Sequence, residues 1–444
     1  MLQFNLISLG CAKNLVDSEV MLGSMAENGW ELVESPEDAD LLLINTCGFI
    51  QSAVEEAIEE ILELAKIKKQ IPGKKLVVTG CLVQRYKEML VENLPEVDLF
   101  LGTEGVSNIA QLVAPLFDKG KTGSRVVLSP KFLMNSSLPR IITTPKSRAW
   151  LKITEGCNNR CAYCMIPSIR GNLRSRERED LVCESVNLEQ QGVKELSLIA
   201  QDSTAYGDDL GKEVNLVLLL KALLDRTSIP WIRLLYLYPS GISDELLQLM
   251  ADNPRIVPYL DIPFQHVNDR ILAAMNRRYT SEIMYRLLER VRQFLPDIAL
   301  RTTFLVGFPG ESEKEFMEIE SFLKQTEIDH VGVFEYANEE GCPSEGFAGQ
   351  LPEDEKKRRC DHLLTLQADL SKEIQKKYIG NIEPVLVEGV SRETDLLLEG
   401  RTRYQAPEVD GCVYINDGVA SPGDIVNVEI CETQIYDLVG RVAE

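Results

Sequence analysis

The chain has 444 residues, more than one ordinary core accommodates, so two or three domains are expected. Its 47 Lys and Arg against 69 Asp and Glu leave a net charge of −22. That balance argues against a protein that holds nucleic acid mainly by neutralising phosphates, so no strong nucleic-acid binding is expected. The amino terminus has no basic region followed by an apolar run, so no secretory signal is read there. No stretch reaches the roughly 18 apolar residues of a membrane span; the best, at 215–224, is interrupted by Lys221. A cytoplasmic chain with no membrane partner is expected. Eleven cysteines beside three histidines point to thiol chemistry, which in that compartment favours metal or redox sites over disulfides.

From the amino terminus, residues 4–9, 40–45 and 75–79 are short apolar runs suited to buried parallel strands. Between the last two, Val54, Ala57, Ile58, Ile61, Leu62 and Ala65 trace one face of a helix over 52–69. An open parallel α/β sheet is expected within a first domain of residues 1–118. Each strand runs directly into a cysteine: Cys11, Cys47 and Cys81. Ligands gather beyond the carboxyl ends of parallel strands, so the three can converge. Taken one at a time, each is as readily a small apolar core residue.

Residues 119–148 read as a linker, broken by Pro130, Pro139 and Pro145. Over 149–352, candidate strands at 150–154, 195–200, 231–237, 259–262, 299–306 and 330–336 alternate with helix-like segments at 177–191, 243–251, 281–294 and 312–326. This predicts a partial or full TIM-type barrel with its chemistry on the loops after the strands. An open doubly wound sheet leaves the same pattern. Residues 353–378 read as a charged helical connector, and 379–444 as a small five-stranded β-barrel punctuated by glycines.

The sharpest motif is GCNNRCAYCMIP, which sets Cys157, Cys161 and Cys164 in a C-x3-C-x2-C array directly after a predicted strand. Three thiolates this close can wrap an iron–sulfur cube and leave one iron open for a ligand. A closed zinc site would ordinarily bring a second ligand pair, and none is present in the sequence. Weaker candidates also sit at strand ends: Gln201 with Asp202, His266, and Gly307 with Gly310. His266 reads equally as a hydrogen-bonded structural histidine, and the glycines as a turn. Arg170, Arg174, Arg176 and Arg178 form a basic island, suited either to a substrate or cofactor carboxylate or to internal ion pairs. Cys183, Cys342, Cys360, Cys412 and Cys431 show no metal spacing and read as ordinary thiols.

The C-x3-C-x2-C array, with Tyr163 before its last cysteine, resembles the cluster motif of radical S-adenosylmethionine enzymes. The resemblance implies that Cys157, Cys161 and Cys164 hold a 4Fe–4S cluster that cleaves S-adenosylmethionine. It further implies cofactor contacts from Tyr163, Gln201 and Gly307, and an external electron donor. Together with the three-cysteine first domain and a last barrel of the TRAM type, the whole chain is similar to the methylthiotransferases. That similarity implies a second, auxiliary 4Fe–4S cluster on Cys11, Cys47 and Cys81.

Two branches of that family compete. SLGCAKNLVDSEVMLG, IPSIRGNLRSR, DIPFQHVNDRILAAMNRR, RTTFLVGFPGE and RTRYQAPEVDG resemble the branch that methylthiolates the β-carbon of an aspartate in the twelfth small-subunit ribosomal protein (S-twelve). Ala12 departs from the proline usual there, and the run around Cys342 also departs from the family pattern. The other branch modifies an adenosine in transfer RNA. Residues 376–444 hold six Lys and Arg against 13 Asp and Glu, which suits a basic ribosomal protein better than RNA. An acidic face also reads as plain solvated surface. An alternative of another class is a non-catalytic iron–sulfur sensor or ribosome-binding protein.

Overall fold

A strand whose residues are apolar on both faces needs cover on both, which a parallel sheet flanked by helices supplies. The computed structural model, which describes residues 2–118, 125–126, 129–211 and 213–443, meets this demand twice. The first sheet contains β1 (Gln3–Ser8), β2 (Glu31–Leu32), β3 (Leu41–Thr46), β4 (Lys75–Gly80), β5 (Leu99–Leu101) and β6 (Arg125–Val126). All are parallel, in the order β2-β1-β3-β4-β5-β6, and β3 is buried at every position. Helix α1 (Ala12–Glu27) follows β1, α2 (Gln51–Gln70) follows β3, and α3 (Cys81–Tyr86) continues directly from β4. Strand β6 falls inside the stretch read as linker, whose residues 119–124 and 127–128 lie outside the described residues.

The second sheet is a partial barrel. Strands β7 (Arg148–Lys152), β10 (Glu195–Ile199), β11 (Trp231–Leu234), β12 (Ile256–Asp261), β13 (Ala299–Val306) and β14 (His330–Glu335) are parallel in the order β14-β13-β12-β11-β10-β7. Between β7 and β10, β8 (Thr154–Glu155) and β9 (Arg174–Ser175) form a separate antiparallel pair. One face of the sheet packs against its helices through residues such as Leu196, Leu198, Leu234 and Phe304. The other face does not stand alone. Trp150, Ile199, Trp231, Tyr259 and Ala299 join one apolar cluster with α1 and with the last domain.

That last domain is a closed barrel of β15 (Ile382–Val390), β16 (Leu398–Thr402), β17 (Val413–Asp417), β18 (Ile425–Thr433) and β19 (Leu438–Val442), ordered β15-β16-β17-β19-β18. Helix Glu353–Gln375 leads into it. Its loop after β16 docks on the second sheet near the strands' amino ends. Glu195 accepts from Arg233 Nε and Arg401 Nη2, both at 2.6 Å, and is fully buried. Asp410 accepts from Arg301 at 2.8 Å and from the Tyr259 hydroxyl at 2.7 Å. Buried pairs of this kind fix geometry, because losing either partner strands a charge away from water.

Candidate active site

Strands β1, β3 and β4 end on one edge of the first sheet, and each delivers its cysteine there. The chain turns tightly to do so. Gly10 has φ +95° and Gly80 φ +101°; a Cβ on Gly10 would lie 2.8 Å from Cys47 Cβ, and one on Gly80 2.6 Å from Thr46 O. Cys11 then caps α1 and Cys81 opens α3. The three thiols come within electrostatic reach of one another, as their strand ends suggested. Burial, with that mutual repulsion, raises Cys47 and pushes Cys81 up to about 12.

The second set rides on a loop pinched by β8 and β9, where Thr154 faces Ser175 and Glu155 faces Arg174. Cys157 N–H donates to Gly171 O at 3.2 Å and Ala162 N–H to Met275 O at 2.9 Å, so backbone bonds set the loop's shape. Burial, then Cys161 and Cys157, pushes Cys164 up to about 12. Arg277 Nη1 lies 3.6 Å from Cys161 Sγ, and its guanidinium stacks over Tyr238 and Tyr279.

Between the two sets runs a buried polar seam. Arg170, just beyond the cysteine loop, donates to Cys81 Sγ from Nε at 3.3 Å and Nη2 at 3.2 Å. Its Nη1 reaches Asp17 at 2.6 Å and Glu155 at 3.3 Å, and Nη2 reaches Asn14 Oδ1 at 3.2 Å. Lys152 pairs with the same two carboxylates, Asp17 and, at 2.8 Å, Glu155. These cations hold Glu155 at about 2 despite its burial. The basic island is thus largely internal wiring: Arg176 also pairs with Asp180 at 2.7 Å and Glu184 at 2.5 Å. Cys342, which carried no motif, packs with Cys81, Met165 and Ile169 and adds to the field at Cys164.

The remaining sequence candidates are spread around the barrel mouth. Gln201 Nε2 is 3.4 Å from Glu155, and its Oε1 is buried without a hydrogen-bond partner. Asp202 is occupied, accepting from Thr204 N–H at 3.0 Å and Asn159 Nδ2 at 2.7 Å. Tyr163 lines an apolar wall with Ala162, Ile271, Met275 and Phe308. Gly307, at φ +77°, lies against Lys356, its N–H donating to Glu311 Oε2 at 2.7 Å. His266 is fully buried and accepts from Asn268 N–H at 2.9 Å. Burial drives its pKa down to about 3, which keeps it neutral, and its Nε2 is buried without a hydrogen-bond partner. Arg170, Arg277, Lys13 and Cys342 went unread as site groups or, for Arg170, without a partner, because no local spacing marks a contact between distant segments.

Each set offers three free thiols with an arginine N–H close to one sulfur (Arg170, buried, and Arg277, part-buried), donor chemistry that fits an iron–sulfur cluster. Among the described residues, no three His, Cys, Asp or Glu side chains converge as a single ion would require. A cube takes its thiolates on separate irons and so accepts wider spacing.

Residues 3–102 match Uncharacterized protein family UPF0004, 151–323 the Radical SAM superfamily, and 379–443 the TRAM domain. A protein of Desulfotalea psychrophila named ribosomal protein uS12 methylthiotransferase RimO is 63% identical over 441 residues, 99% of each chain. The chain belongs to the RimO methylthiotransferase family. RimO proteins of Anaeromyxobacter sp. (strain K) and Syntrophotalea carbinolica are 50% and 46% identical over 98% and 99% of this chain, and 92% and 96% of their own. In fold, the chain resembles the radical S-adenosylmethionine methyltransferase TsrM of Kitasatospora setae, at TM-score 0.57 and 16% identity over 76% of this chain and 75% of that one. The cobalamin-dependent radical enzyme OxsB gives 0.53 and 12% over 83% and 56%. This RimO-family protein is therefore a radical S-adenosylmethionine methylthiotransferase, an enzyme that works with iron–sulfur and S-adenosylmethionine. No helix among the described residues is long and apolar enough to cross a membrane.

Proposed function

We propose that this enzyme methylthiolates the β-carbon of an aspartate in ribosomal protein uS12. One observation carries the reading: the chain is 63% identical to a uS12 methylthiotransferase over 99% of its length, and its Arg170 ties Cys81 of one cysteine set to the Glu155 strand end that leads into the other. Cys157, Cys161 and Cys164 hold one 4Fe–4S cluster, and Cys11, Cys47 and Cys81 hold a second. With S-adenosylmethionine, the first supplies the 5′-deoxyadenosyl radical, a reagent for unactivated carbon that no side chain provides.

The chain's own groups do the rest. The thiols give up their protons on binding, and at Cys47, Cys81, Cys157 and Cys164 burial opposes that loss. Gln201 Oε1, buried and unpartnered, is available to a cofactor N–H, and Tyr163 lines an apolar wall with Ala162, Ile271, Met275 and Phe308. Arg170 keeps the two domains in register and donates to the Cys81 sulfur. An external electron donor and a cytoplasmic encounter with uS12, free or on the ribosome, complete the scheme.

The acidic last domain favours a basic protein partner over RNA, with one qualification from the fold. Glu388, Glu408 and Asp410 are engaged by Arg148 and Arg301 of the barrel, so part of the acidity serves docking between domains. Mass spectrometry of uS12 from a strain lacking this protein tests the proposal. The methylthio group should vanish and return with the wild-type gene but not with Cys161→Ala. Unmodified transfer RNA beside unchanged uS12 would sink it.

A further inference from the structure

Lys13 is the second residue of α1 and is only 8% exposed. Its Nζ crosses from the first domain to donate to Ala200 O at 3.0 Å and sits 3.4 Å from the centroid of the Tyr236 ring. Ala200 follows β10, Tyr236 follows β11, and Asp261, whose charge Lys13 feels, ends β12. The ammonium thus stands at the barrel mouth, over the carboxyl ends of three strands. Cys11, of the other cysteine set, lies within its electrostatic reach.

What Lys13 lacks is an acid. Among the described residues no carboxylate comes within ion-pair distance of it, whereas its neighbours are matched. Lys152 and Arg170 have Asp17 and Glu155, and Arg301 has Asp410 at 2.8 Å. Asp261 is held instead by the Tyr236 N–H at 3.1 Å and by Arg301 at 3.8 Å. An ammonium has three donors, and among the described residues one acceptor, Ala200 O, engages it. A buried, underpaired cation is costly, and a bound carboxylate would supply the counter-charge. Its seat is strained as well: Tyr236 has φ +60°, a conformation that collects at functional sites. The position is not sealed, since Cys11 is exposed and Tyr236 and Gln201 are only part-buried.

We propose that Lys13 binds the carboxylate of the substrate's acidic side chain at the barrel mouth and so selects an acid over its amide. This rests on the aspartate reading above. An ammonium placed between the barrel mouth and Cys11 would hold the substrate side chain beside the first cysteine set, at the mouth of the barrel that carries the second.

A double-mutant cycle tests it, using the iron-loaded full chain and fluorescent peptides of the uS12 target segment with Asp or Asn at the modified position. Wild type should bind the Asp peptide about tenfold or more tightly than the Asn peptide, the scale of a buried charge pair. Lys13→Met and Lys13→Gln, with iron and sulfide content matched to wild type, should bind the two peptides alike; Lys13→Arg should keep the preference. A wild-type Asp/Asn ratio retained in both uncharged variants overturns the proposal, as does a loss confined to S-adenosylmethionine affinity. Wild type that binds both peptides equally also overturns it, leaving the substrate reading intact. Wild type that binds neither peptide overturns it too, whereas the aspartate reading itself falls only if uS12 from the deletion strain is unchanged.

Discussion

Arg170 and Cys81, 89 residues apart in sequence, are joined by two N–H···S hydrogen bonds of 3.3 and 3.2 Å across the boundary between the first two domains. The same guanidinium binds Asp17 of α1 and Glu155 of the barrel. One buried cation therefore ties a cysteine of one set, the helix that begins at another, and the strand end that leads into the second set. Only a planar five-donor group can serve so many acceptors at once.

Arg170→Met should leave Asp17 and Glu155 with Lys152 alone. Breaking a buried pair in this way costs on the order of 3–5 kcal/mol. The check is the urea midpoint of the full chain. Arg170→Lys should recover only part of the loss, because one ammonium cannot span Cys81, Asn14 and the two acids.

The two cysteine sets should separate by chemistry. Cys161→Ala should abolish reductive release of 5′-deoxyadenosine from S-adenosylmethionine. Cys47→Ala should preserve that release while ending methylthio transfer, and iron content should fall from about eight to about four per chain, as expected for one lost cube. Chromatography of the nucleoside and an iron assay read both outcomes. Product formation by Cys47→Ala would overturn the two-cluster scheme.

Glu195 carries an acid-sensitive joint. Arg233 and Arg401 hold its pKa at about 2, below the roughly 4.3 of a free glutamate. Its contribution is therefore fully present above about pH 4.3 and drains away as pH falls toward 2. Denaturation midpoints of wild type between pH 5 and 3 should drop more steeply than those of Glu195→Gln. At neutral pH the variant should already be weaker, since Arg233 and Arg401 lose their shared charge.

Gly10→Ala should disturb the first cysteine set specifically. The added methyl would meet Cys47 Cβ at 2.8 Å on a backbone with φ +95°. The left-handed conformation alone costs roughly 1–2 kcal/mol for a residue with a side chain. Iron loading should fall toward that of Cys47→Ala while deoxyadenosine release persists. Gly29→Ala, also at positive φ but in open space, should load normally.

What the sequence determined by itself was whatever a short window encodes. The C-x3-C-x2-C array spans eight residues, so its three thiols are neighbours in any compact loop. The β–α alternation announced two parallel sheets, and strand ends at Cys11, Cys47 and Cys81 announced a common edge, because parallel strands place like ends together. Closure of the second sheet was not legible, since an open and a closed barrel share one hydrophobic pattern. The six strands form an open partial barrel whose inner face is filled by its neighbours. Tertiary structure alone decided which charges are paired. Arg170 read equally as a carboxylate binder or as an ion-paired residue and is bound to Asp17 and Glu155, while Lys13 meets its acceptor 187 residues away and, among the described residues, finds no acid. Part of the acidic surplus of the last domain turned out to face barrel arginines. Charge balance is a sum over the chain; ion pairing depends on which segments burial forces together, and no local spacing records that.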